Sequence, residues 1–182
     1  KKGAIVAIEP STGEILSLVS APSYNPNLLV GRERSKNYYD LYTDSIYQPL
    51  IDKGLLSTFP AGSPFKIIVG LIALKENIIS DKSSIYCDGA YIYGKNKKSM
   101  KCHCGGGYRN IYNGISKSCN SYFADIYRKT ISMDNKISDN FDKWSTDVKS
   151  FGLGKFLNND FPIGKKGMVP DSEFYNKWYP DF

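Results

Sequence analysis

The sequence predicts an α/β fold of the α+β kind, in which an antiparallel sheet lies beside a cluster of helices. Two short β-prone runs near the start of the chain are separated by turn-forming residues, which indicates a hairpin. A long apolar segment follows Pro64, and a later segment beginning near Ile111 carries apolar residues at helical spacing. Strands followed by a run of helices are typical of an α+β arrangement.

Size and composition narrow the class of protein. The chain has 182 residues, a formal net charge of +6, four cysteines and one histidine. This length allows a core that needs no disulfide framework. The longest apolar run, residues 67–74, is far shorter than the roughly 20 residues that span a bilayer. Lysines are scattered without an arginine-rich face, which argues against nucleic-acid binding.

The chain starts at Lys1 without a signal-peptide pattern, and we expect it to be an excerpt of a longer protein.

The first elements in chain order are a hairpin and an irregular stretch. Residues 3–8 and 15–19 are β-prone and flank the turn formers of residues 9–14. Residues 21–50 are polar and interrupted by proline and glycine, so we expect a surface excursion there with short helical turns at most.

A helix is expected to begin at Ser63. Ser63 is a good N-cap residue, and Pro64 suits the first turn, where its missing N–H costs nothing. The residues that follow, up to about Ser80, are apolar almost all round, which predicts a buried helix rather than an amphipathic one.

The second half of the chain is predicted to be mainly helical. Residues 91–93 and 100–104 are short β-like pieces. Residues 111–129 have helical spacing with a break near Ser118, and a polar helical segment runs from Thr130 to about residue 151. A loop-rich tail is expected from Gly152 to Phe182.

Ser63 and Lys66 form a pair whose spacing suggests chemistry. Residues three apart on a helix share a face, so the Lys66 amine is expected within hydrogen-bonding reach of the Ser63 hydroxyl. A serine becomes a good nucleophile when a base takes its proton, and a lysine whose ammonium form is disfavoured by burial can be that base. The pair alone leaves open that Ser63 is a plain helix cap and Lys66 a solvated side chain.

Several segments together resemble a known family. Residues 59–66, Phe-Pro-Ala-Gly-Ser-Pro-Phe-Lys, are similar to the active-site segment of class B penicillin-binding proteins, and within them to the elongation-type penicillin-binding protein 2 family. Residues 3–26 resemble the start of that family's transpeptidase domain, residues 114–123 its Ser-x-Asn region, and residues 151–154 a following landmark. The order and spacing of these segments are more specific than any one motif.

The resemblance implies the fold shared by these transpeptidases and the serine β-lactamases, and a role for four residues. Ser63 would be the acylated nucleophile and Lys66 its base. Ser118 would pass a proton toward the leaving amine, and Asn120 would hold Lys66 and hydrogen-bond the substrate backbone. The family's third motif, Lys-Ser/Thr-Gly, is absent, so we expect residues 1–182 to be a partial transpeptidase domain whose C-terminal part lies beyond this chain.

The resemblance also implies a function. The protein would be a serine-type peptidoglycan D,D-transpeptidase that cross-links stem peptides, is inhibited by β-lactams and needs no cofactor for acyl transfer. It would sit in the bacterial inner membrane through an anchor outside this chain, face the periplasm, and work with a glycosyltransferase and elongation-complex proteins. Two alternatives stay open: a serine β-lactamase or D,D-carboxypeptidase, and a non-catalytic β-lactam-binding sensor or scaffold.

Residues 85–109 are a candidate metal-binding insertion. Cys87, Cys102, His103 and Cys104 offer the thiolate and imidazole ligands that zinc prefers. Some members of the resembled family carry a metal near this part of the domain, although their ligand types do not match cleanly. The alternatives are a disulfide, such as Cys87 with Cys102, and free thiols. Cys119 is expected to be a small packing residue.

Overall fold

The computed structural model of the protein describes residues 1–156, 161 and 163–179 and combines antiparallel strands with helices. The strands are β1 (Gly3–Ile8), β2 (Ile15–Ala21), β3 (Ile85–Cys87), β4 (Ala90–Tyr93), β5 (Lys98–Lys101) and β6 (Gly107–Arg109). The helices are α1 (Arg34–Thr43), α2 (Lys53–Leu56), α3 (Phe65–Lys75), α4 (Ile111–Ser116), α5 (Asn120–Ile131), α6 (Ile137–Ser150) and α7 (Ser172–Trp178). This mixture confirms the predicted fold class.

The chain divides into two compact units, which are described separately. The first consists of Lys1–Phe59 with Gly154–Gly167, and the second of Pro60–Leu153 with Met168–Phe182. No helix among the described residues is both long and apolar enough to cross a membrane.

In the first unit, β1 and β2 form the predicted hairpin. They pair antiparallel from Gly3 opposite Ala21 to Ile8 opposite Ile15. The turn is closed by a 2.8 Å hydrogen bond from the Glu9 N–H to the Glu14 carbonyl.

The expected surface excursion of the first unit contains more helix than the sequence predicted. Residues Pro26–Leu29 form a 3-10 helix, and α1 extends over ten residues without burying any of them. At the end of the excursion, the buried Lys53 binds three backbone carbonyls. Its Nζ donates to the carbonyls of Pro22, Gln48 and Ile51 at 3.2, 3.0 and 3.3 Å.

The core of the second unit lies where α3, α5 and α6 meet. Its buried apolar residues are Val69, Ile72, Ala73, Ile79, Cys87, Cys102, Ile111, Cys119, Tyr122, Phe123, Ile126, Phe141, Trp144 and Val148. The expectation that the helix after Ser63 is buried all round is wrong for the described residues, because Ile67 and Leu71 are 52% and 47% exposed. The partners α5 and α6 cover only one side of α3.

Two small sheets join the core of this unit. Strand β4 pairs with β5, and β3 pairs with β6, a pair that the sequence did not reveal. Strand β5 ends at Lys101, so the predicted β-like piece of residues 100–104 leaves the sheet before Cys102.

The helices of the second half differ from the predictions mainly at their ends. The break near Ser118 is confirmed, because α4 stops at Ser116 and α5 starts at Asn120. The loop-rich tail is wrong at α7, whose N-cap Asp171 accepts a hydrogen bond from the Phe174 N–H at 3.1 Å. Residues 157–160, 162 and 180–182 of that tail lie outside the described residues.

Candidate active site

Ser63 lies in the turn that leads into α3. Helix α3 begins at Phe65, with Pro64 as its N-cap residue, so Ser63 precedes the helix instead of capping it. The turn is tight, because the Phe65 and Lys66 N–H groups donate to the carbonyls of Gly62 and Ser63. The Ser63 side chain is therefore exposed and free of any capping bond.

Lys66 converges with the connection between α4 and α5. Its Nζ donates three hydrogen bonds: to the Ser118 carbonyl at 2.7 Å, to the Ser118 Oγ at 2.9 Å and to the Asn120 Oδ1 at 2.6 Å. These use all three hydrogens of an ammonium group. Nζ also lies 5.9 Å from the centre of the Phe123 ring. Lys66 is thus fixed in one position although it is only partly buried.

Ser118 bridges the lysine and the first serine. Its Oγ donates to the Ser63 Oγ at 2.9 Å while accepting from Lys66. The structure therefore brings together all four residues singled out in the sequence, with Ser118 between Ser63 and Lys66. The expected direct hydrogen bond from Lys66 to Ser63 is not formed within the described part of the chain. A continuous path Ser63 Oγ, Ser118 Oγ, Lys66 Nζ takes its place.

The backbone of Ser118 has an uncommon conformation. Its φ is +48°, the left-handed region that favours glycine. The Cys119 N–H donates to the Gly114 carbonyl and the Ser118 N–H to the Ile115 carbonyl, both at 2.9 Å. These bonds close α4 in the manner of a helix C-terminal motif whose left-handed residue is usually glycine. With this backbone, Ser118 Oγ lies 2.9 Å from Ser63 Oγ.

Asn120, the first residue of α5, is held from two directions. Its Nδ2 donates to the Lys101 carbonyl at the end of β5, at 3.1 Å. Its backbone N–H donates to the Cys102 Sγ, also at 3.1 Å. The amide oxygen that receives the Lys66 ammonium therefore has a fixed position.

A group of four thiols lies directly behind Asn120. It consists of Cys87, Cys102, Cys104 and Cys119, whose sulfurs all lie within 4.8 Å of one another. The measured sulfur separations are 3.6 Å for Cys87 to Cys104, 3.3 Å for Cys102 to Cys104 and 3.6 Å for Cys102 to Cys119. All four are free, so the alternative of a Cys87–Cys102 disulfide is not formed.

The predicted ligand set needs one correction. His103 is exposed and lies outside the thiol group, while Cys119, expected to be a packing residue, belongs to it. Cys102 and Cys104 follow β5 in a glycine-rich loop that turns both sulfurs inward.

Two of the buried thiols, Cys102 and Cys119, differ in acidity. Burial alone would raise the pKa of Cys102, but hydrogen bonds from the Ser121 backbone and from Cys104 lower it to about 5. At Cys119, burial dominates and raises the pKa of the thiol.

Arg109, at the end of β6, lies beside this thiol group. It is only 5% exposed, and one of its terminal nitrogens donates to the carbonyls of Cys104, Gly105 and Gly106 at 3.0, 2.7 and 2.9 Å. Its place in the sequence does not single it out, because a lone arginine after a glycine run has no distinctive spacing.

Comparisons with known proteins agree on one family. Residues 3–179 match the model of the penicillin-binding protein transpeptidase domain. The peptidoglycan D,D-transpeptidase MrdA of Acinetobacter baumannii is 34% identical over 178 residues, which are 96% of this chain and 25% of that protein. This chain spans about a quarter of the length of the curated MrdA relatives that it matches.

Solved structures give the same result. The crystal structure of Pseudomonas aeruginosa PBP2 in complex with WCK 5153 is 30% identical with a TM-score of 0.80, over 99% of this chain and 39% of that chain. A complex between PBP2 and MreC from Helicobacter pylori gives 28% identity and a TM-score of 0.81, over 100% of this chain and 32% of that chain. With a family match from residue 3 to residue 179 and the fold of solved PBP2 chains, this chain belongs to the penicillin-binding protein transpeptidase domain family.

Proposed function

We propose that this chain forms part of a peptidoglycan D,D-transpeptidase and carries its nucleophile and its proton-transfer residues. The observation that supports this most directly is the hydrogen-bonded path from Ser63 through Ser118 to Lys66, with 2.9 Å at each step. General acid–base catalysis needs distances of about 2.6–3.2 Å between the atoms that exchange a proton.

The first half of the reaction forms an acyl-enzyme. Ser63 Oγ attacks the carbonyl carbon between the two terminal D-alanines of a stem peptide. This step requires Lys66 as a free amine, with both hydrogen bonds of the path reversed relative to the arrangement described above, in which Lys66 donates to Ser118 and Ser118 to Ser63. The Ser63 proton then passes to Ser118 Oγ, and the Ser118 proton passes to Lys66 Nζ. The C–N bond to the last D-alanine then breaks, and the same path returns a proton to the departing amine. The product is an ester on Ser63, and backbone N–H groups, that of Ser63 among them, would stabilise the oxyanion.

The second half transfers the acyl group. An amine from a neighbouring stem peptide attacks the ester carbonyl, loses a proton to the path, and forms the cross-linking amide while Ser63 Oγ regains its proton. A β-lactam would acylate Ser63 in the same way, because its strained amide presents the same carbonyl chemistry.

Asn120 is proposed to hold both lysine and substrate. Its Oδ1 accepts from Lys66 at 2.6 Å, and one hydrogen of its amide group donates to the Lys101 carbonyl. An amide NH₂ has two hydrogens, so the second can donate to a carbonyl of the stem-peptide backbone.

Acylation of the full-length protein by a fluorescent penicillin tests this proposal. We expect the label on Ser63 and its loss in Ser63→Ala, while Ser84→Ala, which changes an exposed serine of the same unit, keeps it. Absence of label from the unchanged protein would contradict both transpeptidase and hydrolase activity and favour a non-catalytic role.

A second assay separates the transpeptidase from its hydrolytic alternatives. With a stem pentapeptide and an acceptor amine, a transpeptidase gives a cross-linked product and free D-alanine. Trimmed tetrapeptide as the main product would indicate a D,D-carboxypeptidase, and rapid loss of the penicillin label would indicate a β-lactamase.

We further propose that the whole protein works at the bacterial inner membrane, with this domain in the periplasm. Membership of the transpeptidase family supports a substrate in the cell wall, and the PBP2 structure from H. pylori was solved in complex with MreC. An MreC-like elongation protein and a glycosyltransferase are therefore the expected partners, and co-purification with the full-length protein would identify them.

The thiol group is proposed to hold a structural zinc ion. Zn–S bonds of about 2.3 Å in a tetrahedron place the sulfurs about 3.8 Å apart; three of the observed separations are 3.3–3.6 Å, and all four sulfurs lie within 4.8 Å of one another. Four thiolates would fill the coordination sphere, so the ion would cross-link the loop after β5 to the start of α5 and supply no reactive water. Transpeptidase chemistry itself needs no cofactor.

Elemental analysis of the full-length protein tests the metal. We expect one zinc per chain, reduced by Cys119→Ala and unchanged by His103→Ala. Protein without zinc whose four cysteines all react with a thiol reagent would contradict the metal and favour free thiols.

A further inference from the structure

We infer that Arg109 is a positioning residue for the thiol group, where it clamps the loop that presents Cys104 and supplies the buried positive charge that the thiolates require. This inference rests on the proposed zinc site and assigns to it a residue outside the ligand set.

The clamp is visible in the hydrogen bonds of the guanidinium. One terminal nitrogen donates to three consecutive carbonyls, those of Cys104, Gly105 and Gly106, and the other donates to the Tyr108 carbonyl at 2.9 Å. Residues 105–107 are all glycine, so this loop contains little side-chain bulk to fix its shape. Gly105 and Gly107 have positive φ values of +71° and +115°. The hydrogen bonds of Arg109 therefore fix the shape of this loop, as side-chain packing would in an ordinary loop, and hold Cys104 next to Cys87 and Cys102.

The charge of Arg109 points the same way. A guanidinium is always ionised in proteins, and a buried charge is normally paired. No carboxylate of the described residues forms an ion pair with Arg109. Carbonyl oxygens accept from its two terminal nitrogens but bring no net charge, and its buried Nε has no hydrogen-bond partner among the described residues. The thiols of Cys104, Cys119 and Cys87 interact with the guanidinium and can bring negative charge. Zinc binds thiolates, and four of them around one ion leave the site with a net negative charge.

Arginine suits this place better than lysine. Its planar fork reaches four carbonyls from one side chain while its charge stays near the sulfurs, whereas an ammonium group is a compact point charge with three donors. Outer partners of this kind typically change metal affinity by about 10- to 100-fold when they are removed.

The test compares zinc affinity of four full-length proteins by competition with a chromophoric chelator under reducing conditions. Arg109→Met is expected to weaken binding by about 10- to 100-fold, and Arg109→Lys, which keeps the charge but not the fork, by less. Arg128→Met, which removes an exposed arginine of the same unit, is the matched control and should bind like the unchanged protein. Co²⁺ substitution gives a second readout, because thiolate-to-cobalt absorption reports the sulfur ligands directly.

Unfolding of loaded and chelated protein distinguishes a metal-directed role from a merely structural one. If Arg109 serves the thiolates, Arg109→Met lowers the midpoint of the loaded protein more than that of the chelated protein. Equal losses in both states, or unchanged zinc affinity, would overturn the inference and leave the metal site intact. Absence of Zn²⁺ and Co²⁺ binding by the unchanged protein would overturn the metal site and this inference with it. If Arg109→Met does not fold, Arg109→Lys decides, and unchanged affinity in that variant would overturn the clamp.

Discussion

Replacing Ser118 separates the stability of the active-site turn from its chemistry. Ser118 has a left-handed backbone, with φ of +48°. This conformation costs a residue with a Cβ atom roughly 1–2 kcal/mol. Glycine avoids that cost but has a more flexible unfolded chain, which reduces the benefit by roughly 0.5–1 kcal/mol. Ser118→Gly is therefore expected to be more stable than Ser118→Ala by about 0.5–1 kcal/mol, because both lose the hydroxyl and only glycine relieves the strain.

The two variants should nevertheless lose acylation equally. Each removes the oxygen that accepts from Lys66 and donates to Ser63, both at 2.9 Å. The Lys66 bond to the backbone carbonyl of residue 118 remains, so the lysine keeps part of its anchoring. A positioned proton-transfer group contributes about 10²- to 10⁴-fold to rate, and we expect a loss of that size in each variant.

Urea unfolding and the rate of labelling by a fluorescent penicillin measure the two effects on the full-length protein. Lys97→Gly is the matched control, because Lys97 has the same φ of +48° in the turn between β4 and β5. It should gain stability similarly and leave the labelling rate unchanged. The strain argument fails if the glycine and alanine variants of Ser118 are equally stable, and the proton path fails if either labels at the normal rate.

Further expectations concern Lys66, Asn120 and Asp171. Lys66→Met should leave the circular dichroism spectrum unchanged and slow penicillin labelling by at least about 10²-fold, with exposed Lys98→Met as control, and normal labelling would rule out Lys66 as the base. Asn120→Ala should slow penicillin labelling, because Lys66 loses the Asn120 Oδ1 that accepts its hydrogen bond at 2.6 Å. An unchanged labelling rate would contradict a role for Asn120 in acylation. Hydrogen bonds from the Phe174 N–H and, to a smaller extent, from Lys149 lower the pKa of the Asp171 carboxyl in the folded protein below its ordinary 3.8. The charged carboxylate therefore stabilises the fold fully above pH 3.8, and this stabilisation is lost as the pH falls through the lower pKa of the folded state. Asp171→Asn should therefore flatten the acid side of the stability curve, and curves of equal slope would contradict this.

The parts of the site that the sequence predicted are those set by local rules. The spacing of Ser63 and Lys66 placed them near each other, and the helical period from residue 111 located the break at Ser118. The spacing could not show that Ser118 would come between them. That position depends on the left-handed backbone of Ser118, which closes α4 where glycine is usual and which no propensity assigns to a serine.

The thiol group shows where local rules fail. On a strand, Cys102 and Cys104 would point to one side and His103 to the other, so all three could bind one ion only where the backbone bends. The bend exists, because β5 stops at Lys101, but it leaves His103 exposed. Cys119 completes the group through the packing of α5 against β3, β4 and β5, a tertiary contact that its position in the sequence does not encode.

The tripeptide Ser118-Cys119-Asn120 connects the proposed proton path with the thiol group. Ser118 and Asn120 both bind Lys66, while Cys119 between them belongs to the thiol group. The Asn120 N–H is anchored on the Cys102 sulfur, so the backbone of the tripeptide is tied to the thiols at two consecutive residues. A shift of about 1 Å would lengthen the 2.9 Å steps beyond hydrogen-bonding range and stop proton transfer. A left-handed serine between two helices is strained, and we expect the thiol group, once it holds the proposed zinc ion, to oppose the relaxation of that strain.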